Sequence, residues 1–257
     1  MLSEENYFSK DNNFKYCGSS QIKSFMQCES KALAELKGEW IEEPSKALLE
    51  GSYLDAALSG TLNEFKENHQ ELFKKDGTLK AEFLQAEVAL ERIKKDEMFM
   101  KYVNGDNQKI MTGQIAGIPI KIKIDSYHKD KALVDFKYIA DFKYQYNPIT
   151  NQKENFVTRW GYDFQATIYQ KIVEQNTGKR LPFFIAAVTK EKQPDLALLS
   201  IPDEVIDIKL SELEQILPHI QQLKEGKVEP TRCEHCDYCK ATKKLTKIID
   251  YRDLDLV

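Results

Sequence analysis

The chain has 257 residues, 42% hydrophobic and 30% charged, with a net charge of −4. That length and apolar share suffice for one well-buried core, while the acidic balance excludes a broadly basic coat for nonspecific nucleic-acid binding and leaves room for a local basic channel. No apolar run reaches the roughly 20 residues that span a bilayer.

The start, Met1-Leu2-Ser3-Glu4-Glu5, lacks the basic and apolar segments of a secretory signal. The expected location is cytoplasmic, with no membrane partner. Five cysteines, three of them close together near the C-terminal end, do not form a secreted disulfide framework. Clustered cysteines in a reducing compartment more often bind metal.

In chain order, residues 1–18 are polar and aromatic and read as an irregular lead-in. Ser19 or Ser20 can cap a helix running through Ile22, Phe25, Met26, Leu33 and Leu36 to Gly38. Pro44 stands near the start of a second helix, Ser45 to Leu58. Residues 59–76 are charged and include a short helix. A long amphipathic helix is predicted over Leu79 to Tyr102, with Phe83, Leu84, Val88, Leu90 and Ile93 on its apolar face.

The period then changes to two. Lys109–Ile115, Ile118–Asp125 and Ala132–Lys137 read as three successive strands, turning at Gly117-Ile118-Pro119 and His128-Lys129-Asp130. Residues 141–158 read as an aromatic, polar loop. A helix over Arg159–Thr177 stops at Gly178. Two more strands, Pro182–Thr189 and Leu196–Ile201, precede a helix over Asp203–Glu225 that ends at Gly226. This order predicts an α/β or α+β fold: one domain over 1–257, with a mixed central sheet of about five strands flanked by helices.

Chemistry concentrates in the strand pair. Asp125 ends one run, and Asp135 and Lys137 lie two apart on the next. Side chains at i and i+2 of a strand share a face, so Asp135 and Lys137 project together with Phe136 buried behind them. A hairpin brings Asp125 to the same spot. Two carboxylates beside a lysine can hold a hard cation and activate water for phosphodiester cleavage. Taken alone, the same pattern also describes surface ion pairs.

Two further pairs sit at helical spacing. Gln165 and Tyr169 share a helix face and could orient a phosphate or a metal-bound water; the plainer reading is a core tyrosine and an exposed glutamine. Gly51 and Asp55 also share a face. Gly51 permits close backbone approach, so Asp55 could be turned inward as a further ligand, or be an ordinary surface aspartate.

Cys233-x-x-Cys236-x-x-Cys239 puts three thiols on one turn-rich loop and needs a fourth ligand. Cys28 is the best candidate, with His235 the alternative for zinc. Cys17 has no evident partner. His69, His128 and His219 read as surface histidines. Trp160, Tyr144 and Tyr146 could stack on unpaired bases, although core packing suits Trp160 better. Lys121 and Lys123 alternate with isoleucines, either along a DNA path or on a solvated sheet face. Thr189 and Lys190 could meet a phosphate.

Gly51-x-x-x-Asp55, Asp125, Asp135-x-Lys137 and Gln165-x-x-x-Tyr169 occur in that order. This arrangement resembles the PD-(D/E)xK nuclease superfamily, with its restriction-endonuclease-like core. It is most similar to phage and prophage exonucleases of the RecE (exodeoxyribonuclease VIII) type, from Ser19 to the cysteine tail. Met111-Thr112-Gly113 and the cysteine tail fit the same likeness.

The resemblance implies that Asp125 and Asp135 bind Mg²⁺, or Mn²⁺ in its place, and that the Phe136 carbonyl completes the metal shell. Lys137 would position or polarise the attacking water, and Gln165 and Tyr169 would match the trailing motif. Asp55 stands where many of those nucleases carry histidine. The resemblance further implies 5′→3′ digestion of one strand at double-stranded DNA ends, a ring-shaped homo-oligomer, and a single-strand annealing protein as recombination partner.

One early and three late cysteines also resemble the iron–sulfur staple of AddB-type and CRISPR-associated nucleases, although there the last two cysteines are usually farther apart. A [4Fe–4S] cluster, zinc and unliganded thiols all remain open at this stage. A structure-specific endonuclease, a CRISPR-adaptation-like nuclease and a non-catalytic DNA-binding module of the same fold are the competing functions.

Overall fold

A computed structural model describes residues 2–43, 45–147, 151–246 and 248–252. Its backbone divides into two compact units. One comprises Met1–Glu42, Gln114–Ile120 and Glu214–Val257, the other Glu43–Gly113 and Lys121–Leu213.

The first unit opens with three short helices, α1 (Lys10–Lys15), α2 (Ser19–Gln27) and α3 (Glu29–Lys37). Where the sequence pattern predicts one helix capped by Ser19 or Ser20, Gly18 precedes α2 without a side-chain cap. Cys28 then interrupts the run in an extended conformation, with φ −161° and ψ 106°. The Cys28 N–H still bonds the Ser24 carbonyl, and its own carbonyl accepts the Ala32 N–H. The break therefore leaves this peptide's hydrogen bonds made. α3 stops at Gly38, as expected, with φ +78°.

In the second unit the Ser45 side chain accepts the Leu48 N–H and caps α4 (Lys46–Ser59). Pro44, expected beside this start, lies outside the described residues. α5 (Leu62–Asn68) and a 3₁₀ turn, Gln70–Leu72, follow. The single helix expected over 79–102 is two, α6 (Ala81–Lys94) and α7 (Glu97–Val103), because the Asp96 carboxylate accepts the Phe99 N–H and starts a new one. Phe83, Leu90 and Ile93 are buried, but Leu84 and Val88 face outward and Ala86 and Ala89 take their place inside.

The strands β1 (Asp106–Ile115), β2 (Ile118–His128) and β3 (Ala132–Ile139) form the expected meander. Its first turn falls at Ala116-Gly117, both at positive φ, as a tight hairpin requires. The stretch read as a loop holds a small hairpin, β4 (Gln145–Asn147) and β5 (Gln152–Glu154), and a short helix, α8 (Phe156–Arg159). α9 (Tyr162–Thr177) starts after Gly161, at φ +60°, rather than at Arg159. β6 (Phe183–Thr189), β7 (Leu196–Ser200) and α10 (Asp203–Lys224) follow, and α11 (Asp237–Ala241) is the last α-helix among the described residues.

The sheet order is β1-β2-β3-β6-β7, with β3 parallel to β6 and the β2–β3 and β6–β7 pairs antiparallel. This is the mixed five-stranded sheet with flanking helices that the element order predicts. On one face, Val134 and Phe136 of β3 join Tyr53, Leu54, Phe83, Ile93 and Phe99 in a core. Each such side chain contributes about 2 kcal/mol by leaving water. Asp135 and Lys137 alternate with these residues and so point the other way.

In the first unit the Lys224 ammonium donates to the carbonyls of Asn13 (3.0 Å) and Tyr16 (3.2 Å) at the end of α1. It also lies 3.5 Å from the Cys17 sulfur, so Cys17, read as unpartnered, is a buried neighbour of a cation. Among the described residues no helix is long and apolar enough to cross a membrane.

Candidate active site and thiol cluster

β2 and β3 are paired at Ser126–Val134, Tyr127–Leu133 and His128–Ala132. One step beyond, the same register would set Asp125 opposite Asp135. There the Phe136 N–H donates instead to Asp125 Oδ2, at 3.1 Å, and the carboxylate takes a position that a backbone carbonyl would otherwise fill. A cleft opens at this point, lined in part by Asp55, Asn107, Gln108, Asp125 and Phe136. β3 stays paired to β6 throughout, with Asp135 opposite Ile185, so Asp135 is held on a rigid strand.

Asp135 is buried. The Gln165 amide of α9 donates to its Oδ1 at 2.5 Å, and the Lys137 ammonium closes on its Oδ2. Lys137 also sits 4.9 Å above the Tyr162 ring. Burial alone would lower the lysine pKa, but Asp135 and Asp125 more than reverse this and hold it raised. Burial, and then the charges of Asp135 and Asp55, push the Asp125 carboxyl well above the carboxylate range. Asp55 is raised to about 6, chiefly by burial, with Asp135 adding and Lys137 opposing. Three carboxyls and one ammonium thus share one low-dielectric region, in which Asp125 and Asp55 resist ionisation without more positive charge.

Gln165 is therefore buried on Asp135, not exposed. Tyr169 is buried too, and its hydroxyl donates to the Lys123 carbonyl of β2, at 3.0 Å. Gly51 does not allow a close approach: nothing lies within 4 Å of where its Cβ would be. Lys121 is 3% exposed and so does not lie on a solvated face, while Lys123 is half-buried. Trp160 is 54% exposed, contrary to its expected core packing, and Tyr144 and Tyr146 are exposed with it.

The Thr189 hydroxyl accepts the Asp195 N–H and donates to Glu191, while Lys190 pairs with Glu50. Both are engaged within the fold. His69 and His219 pair with Glu71 and Glu29 at the surface. His128 is only half-buried, at 2.7 Å from the Tyr102 carbonyl.

The second site lies in the first unit. One sulfur from each of Cys28, Cys233, Cys236 and Cys239 falls within 4.8 Å of all the others. His235, the alternative fourth ligand, is not in this group; its side chain is exposed. Cys233 Sγ receives the backbone N–H groups of His235 (3.5 Å) and Cys236 (3.3 Å). Burial would raise the Cys233 thiol, but these donors hold it down at about 6. Cys236 is pushed up to about 12, first by burial.

The chain matches the PDDEXK-like domain of unknown function (DUF3799) over residues 18–242. It belongs to the DUF3799 family. A crystal structure of a "Putative exonuclease" from Eubacterium rectale is 42% identical, with 99% of this chain and 98% of that chain covered and a TM-score of 0.95. The structure of SSO0001 covers 77% of this chain and 84% of that one, at 12% identity and a TM-score of 0.28. No curated protein matches.

The DUF3799 span holds Asp55, Asp125, Asp135 and the four clustered cysteines. It also holds residues that sequence reasoning passed over. Asn107 and Gln108 line the cleft because β1 begins ahead of the expected Lys109, and Gln108 takes φ +55° inside the strand. Polar residues after Gly105 look like a turn, so periodicity offers no signal for them. Tyr162, beneath the Lys137 ammonium, stands just ahead of Gln165-x-x-x-Tyr169 and outside its spacing.

Proposed function

We propose that this chain is a divalent-metal-dependent deoxyribonuclease that digests one strand of linear duplex DNA from an end. The observation that carries this reading is the convergence of Asp125, Asp135, Lys137 and Gln165 where β2 and β3 part. The 42% identity to the Eubacterium rectale protein, named as an exonuclease candidate, supports it.

The residues fit a hard cation. Asp55, Asp125 and Asp135 offer carboxylate oxygens only, the donors that suit Mg²⁺ or Mn²⁺. Asp135 Oδ2 is buried and, among the described residues, has the Lys137 ion pair but no hydrogen-bond donor of good geometry. Asp125 and Asp135 would hold the ion, with the Phe136 carbonyl and Asp55 as further oxygens. When bound, the cation supplies charge neutralisation at the phosphate and a more acidic water.

The chain's own groups supply the rest. Gln165 fixes the Asp135 rotamer through Oδ1. Lys137 keeps a positive charge beside the reacting phosphate as the water oxygen bonds to phosphorus and a P–O ester bond breaks; such preorganised charge favours the transition state. The Tyr162 ring limits where the ammonium can swing. Within this reading the chain acts 5′→3′, in a homo-oligomeric ring and beside an annealing protein, as RecE-type nucleases do.

Incubation with Mg²⁺ and two substrates tests the proposal. Loss of linear duplex with closed circular DNA left intact supports it. Nicking of the circle favours an endonuclease, and loss of neither by folded protein refutes nuclease action. Duplexes labelled at one 5′ or 3′ end read the direction.

A further inference from the structure

We propose that Cys28, Cys233, Cys236 and Cys239 bind a single zinc ion in a tetrahedral all-thiolate site that fixes the C-terminal tail onto α3. The sulfur separations decide between metals. Cys28 to Cys239 is 3.6 Å, Cys28 to Cys236 is 3.8 Å and Cys233 to Cys239 is 4.0 Å. Four ligands at the usual Zn–S bond of about 2.3 Å stand about 3.8 Å apart at the corners of a tetrahedron. In a [4Fe–4S] cluster each thiolate binds a different iron, itself displaced from the centre, so the sulfurs stand roughly 6 Å apart. The observed spacing leaves room for one ion and not for a cubane. On this proposal zinc takes the place of the iron–sulfur cluster that the resemblance implies.

The surrounding backbone is shaped for thiolates. Beyond the two N–H groups on Cys233, the Cys239 N–H points at Cys236 Sγ, at 3.4 Å. Such donors orient sulfur ligands and stabilise their anionic form. Glu234, between the first two tail cysteines, holds φ +62°, a conformation that a residue with a Cβ keeps only when its surroundings demand it. Cys28 contributes its sulfur from the extended break between α2 and α3, which is why a continuous helix fails at that residue.

Other bonds register the tail on α3 before any ion is counted. The Thr231 N–H and hydroxyl both donate to Glu29, and Ser30 donates to the carbonyls of Pro230 and Thr231. Arg232 donates to the Cys239 carbonyl at 2.6 Å, and Trp40 packs edge-on against Tyr238. A zinc ion at the centre joins residues 28 and 239 across nearly the whole chain, so its effect falls on stability rather than on chemistry.

The test is metal analysis of full-length protein from cells supplied with both iron and zinc. One zinc per chain, no acid-labile sulfide and no visible colour support the proposal. Iron, with or without sulfide, overturns it, as does protein carrying no metal. Chelation should lower Tm by about 10 °C, with recovery on adding zinc but not magnesium; an unchanged Tm overturns the structural role. Cys239→Ser should lose the zinc while Cys17→Ser retains it. Should Cys239→Ser fail to fold, Co²⁺ exchange into the wild-type chain decides: intense visible bands of tetrahedral cobalt thiolate support the site, and their absence refutes it.

Discussion

Gln165 Nε2 lies 2.5 Å from Asp135 Oδ1, and both side chains are buried. The amide uses one carboxylate oxygen and so fixes where the other points. Gln165 is on this view a positioning residue. Gln165→Ala should cut cleavage of linear duplex by about 10- to 100-fold and raise the Mg²⁺ needed for half-maximal rate. Gln165→Glu should do worse, since a second carboxylate would face Asp135. A Mg²⁺ titration of both variants checks this; an unchanged Mg²⁺ requirement would remove Gln165 from the site.

Lys137 has a structural role as well as its proposed chemical one. It closes on buried Asp135 with only 16% of its side chain exposed. Lys137→Ala should lower cleavage by at least about 100-fold. It should also destabilise metal-free protein by about 3 kcal/mol, because a buried carboxylate loses its counter-charge. Mg²⁺ should restore part of that stability without restoring activity. Denaturant melts with EDTA and with Mg²⁺, beside a cleavage assay, separate the two roles. Equal melts for variant and wild type in EDTA would contradict the buried pair.

Much of this site was legible because strands write it in period two. Asp135 and Lys137 share a face whatever the tertiary context, and a short turn forces Asp125 alongside. Less was legible where packing decides. Lys121 alternates with isoleucines, which fits a DNA path or a solvated face equally well, yet packing buries it. Leu84 and Val88 fit an apolar helix stripe, but α6 sits on Ala86 and Ala89 instead. The breaks at Cys28 and Asp96 fall at single residues that periodicity averages away: Cys28 takes an extended conformation, and Asp96 caps the next helix through the Phe99 N–H. Trp160 looked like core by size alone, and nothing in the chain announces that it stays 54% exposed.

The Asp55 carboxyl gives a pH signature. Its pKa rises from 3.8 to about 6, first through burial. Between those values the folded chain keeps a proton that the unfolded chain has lost. Asp55 therefore costs stability as pH rises through this window, and the cost persists above it. Asp55→Asn has no proton to lose. In EDTA its stability relative to wild type should grow by about 2 kcal/mol between pH 4 and pH 7. Mg²⁺ at pH 7 should shrink the difference by neutralising Asp55 in the wild type. A difference that stays flat across this range would place Asp55 in water, away from Asp135.

Two glycines should respond in opposite directions to the same substitution. Gly51 lies inside α4 with nothing within 4 Å of its missing Cβ. Alanine there removes backbone freedom from the unfolded chain and should stabilise by about 1 kcal/mol. At Gly105 a Cβ would stand 2.6 Å from Ser126 Oγ and 2.9 Å from the Tyr127 carbonyl oxygen. Neither can move aside freely. Ser126 Oγ accepts the Gly105 N–H and donates to the Tyr102 carbonyl, and Tyr127 is paired into β3. Gly105→Ala should therefore cost about 2 kcal/mol or more by overpacking. It should also disturb the cleft, because Asn107 and Asp125 are close along the chain to the residues that must shift. Paired denaturant melts give the signs directly. A destabilising Gly51→Ala would mean that α4 has a close neighbour at that position after all.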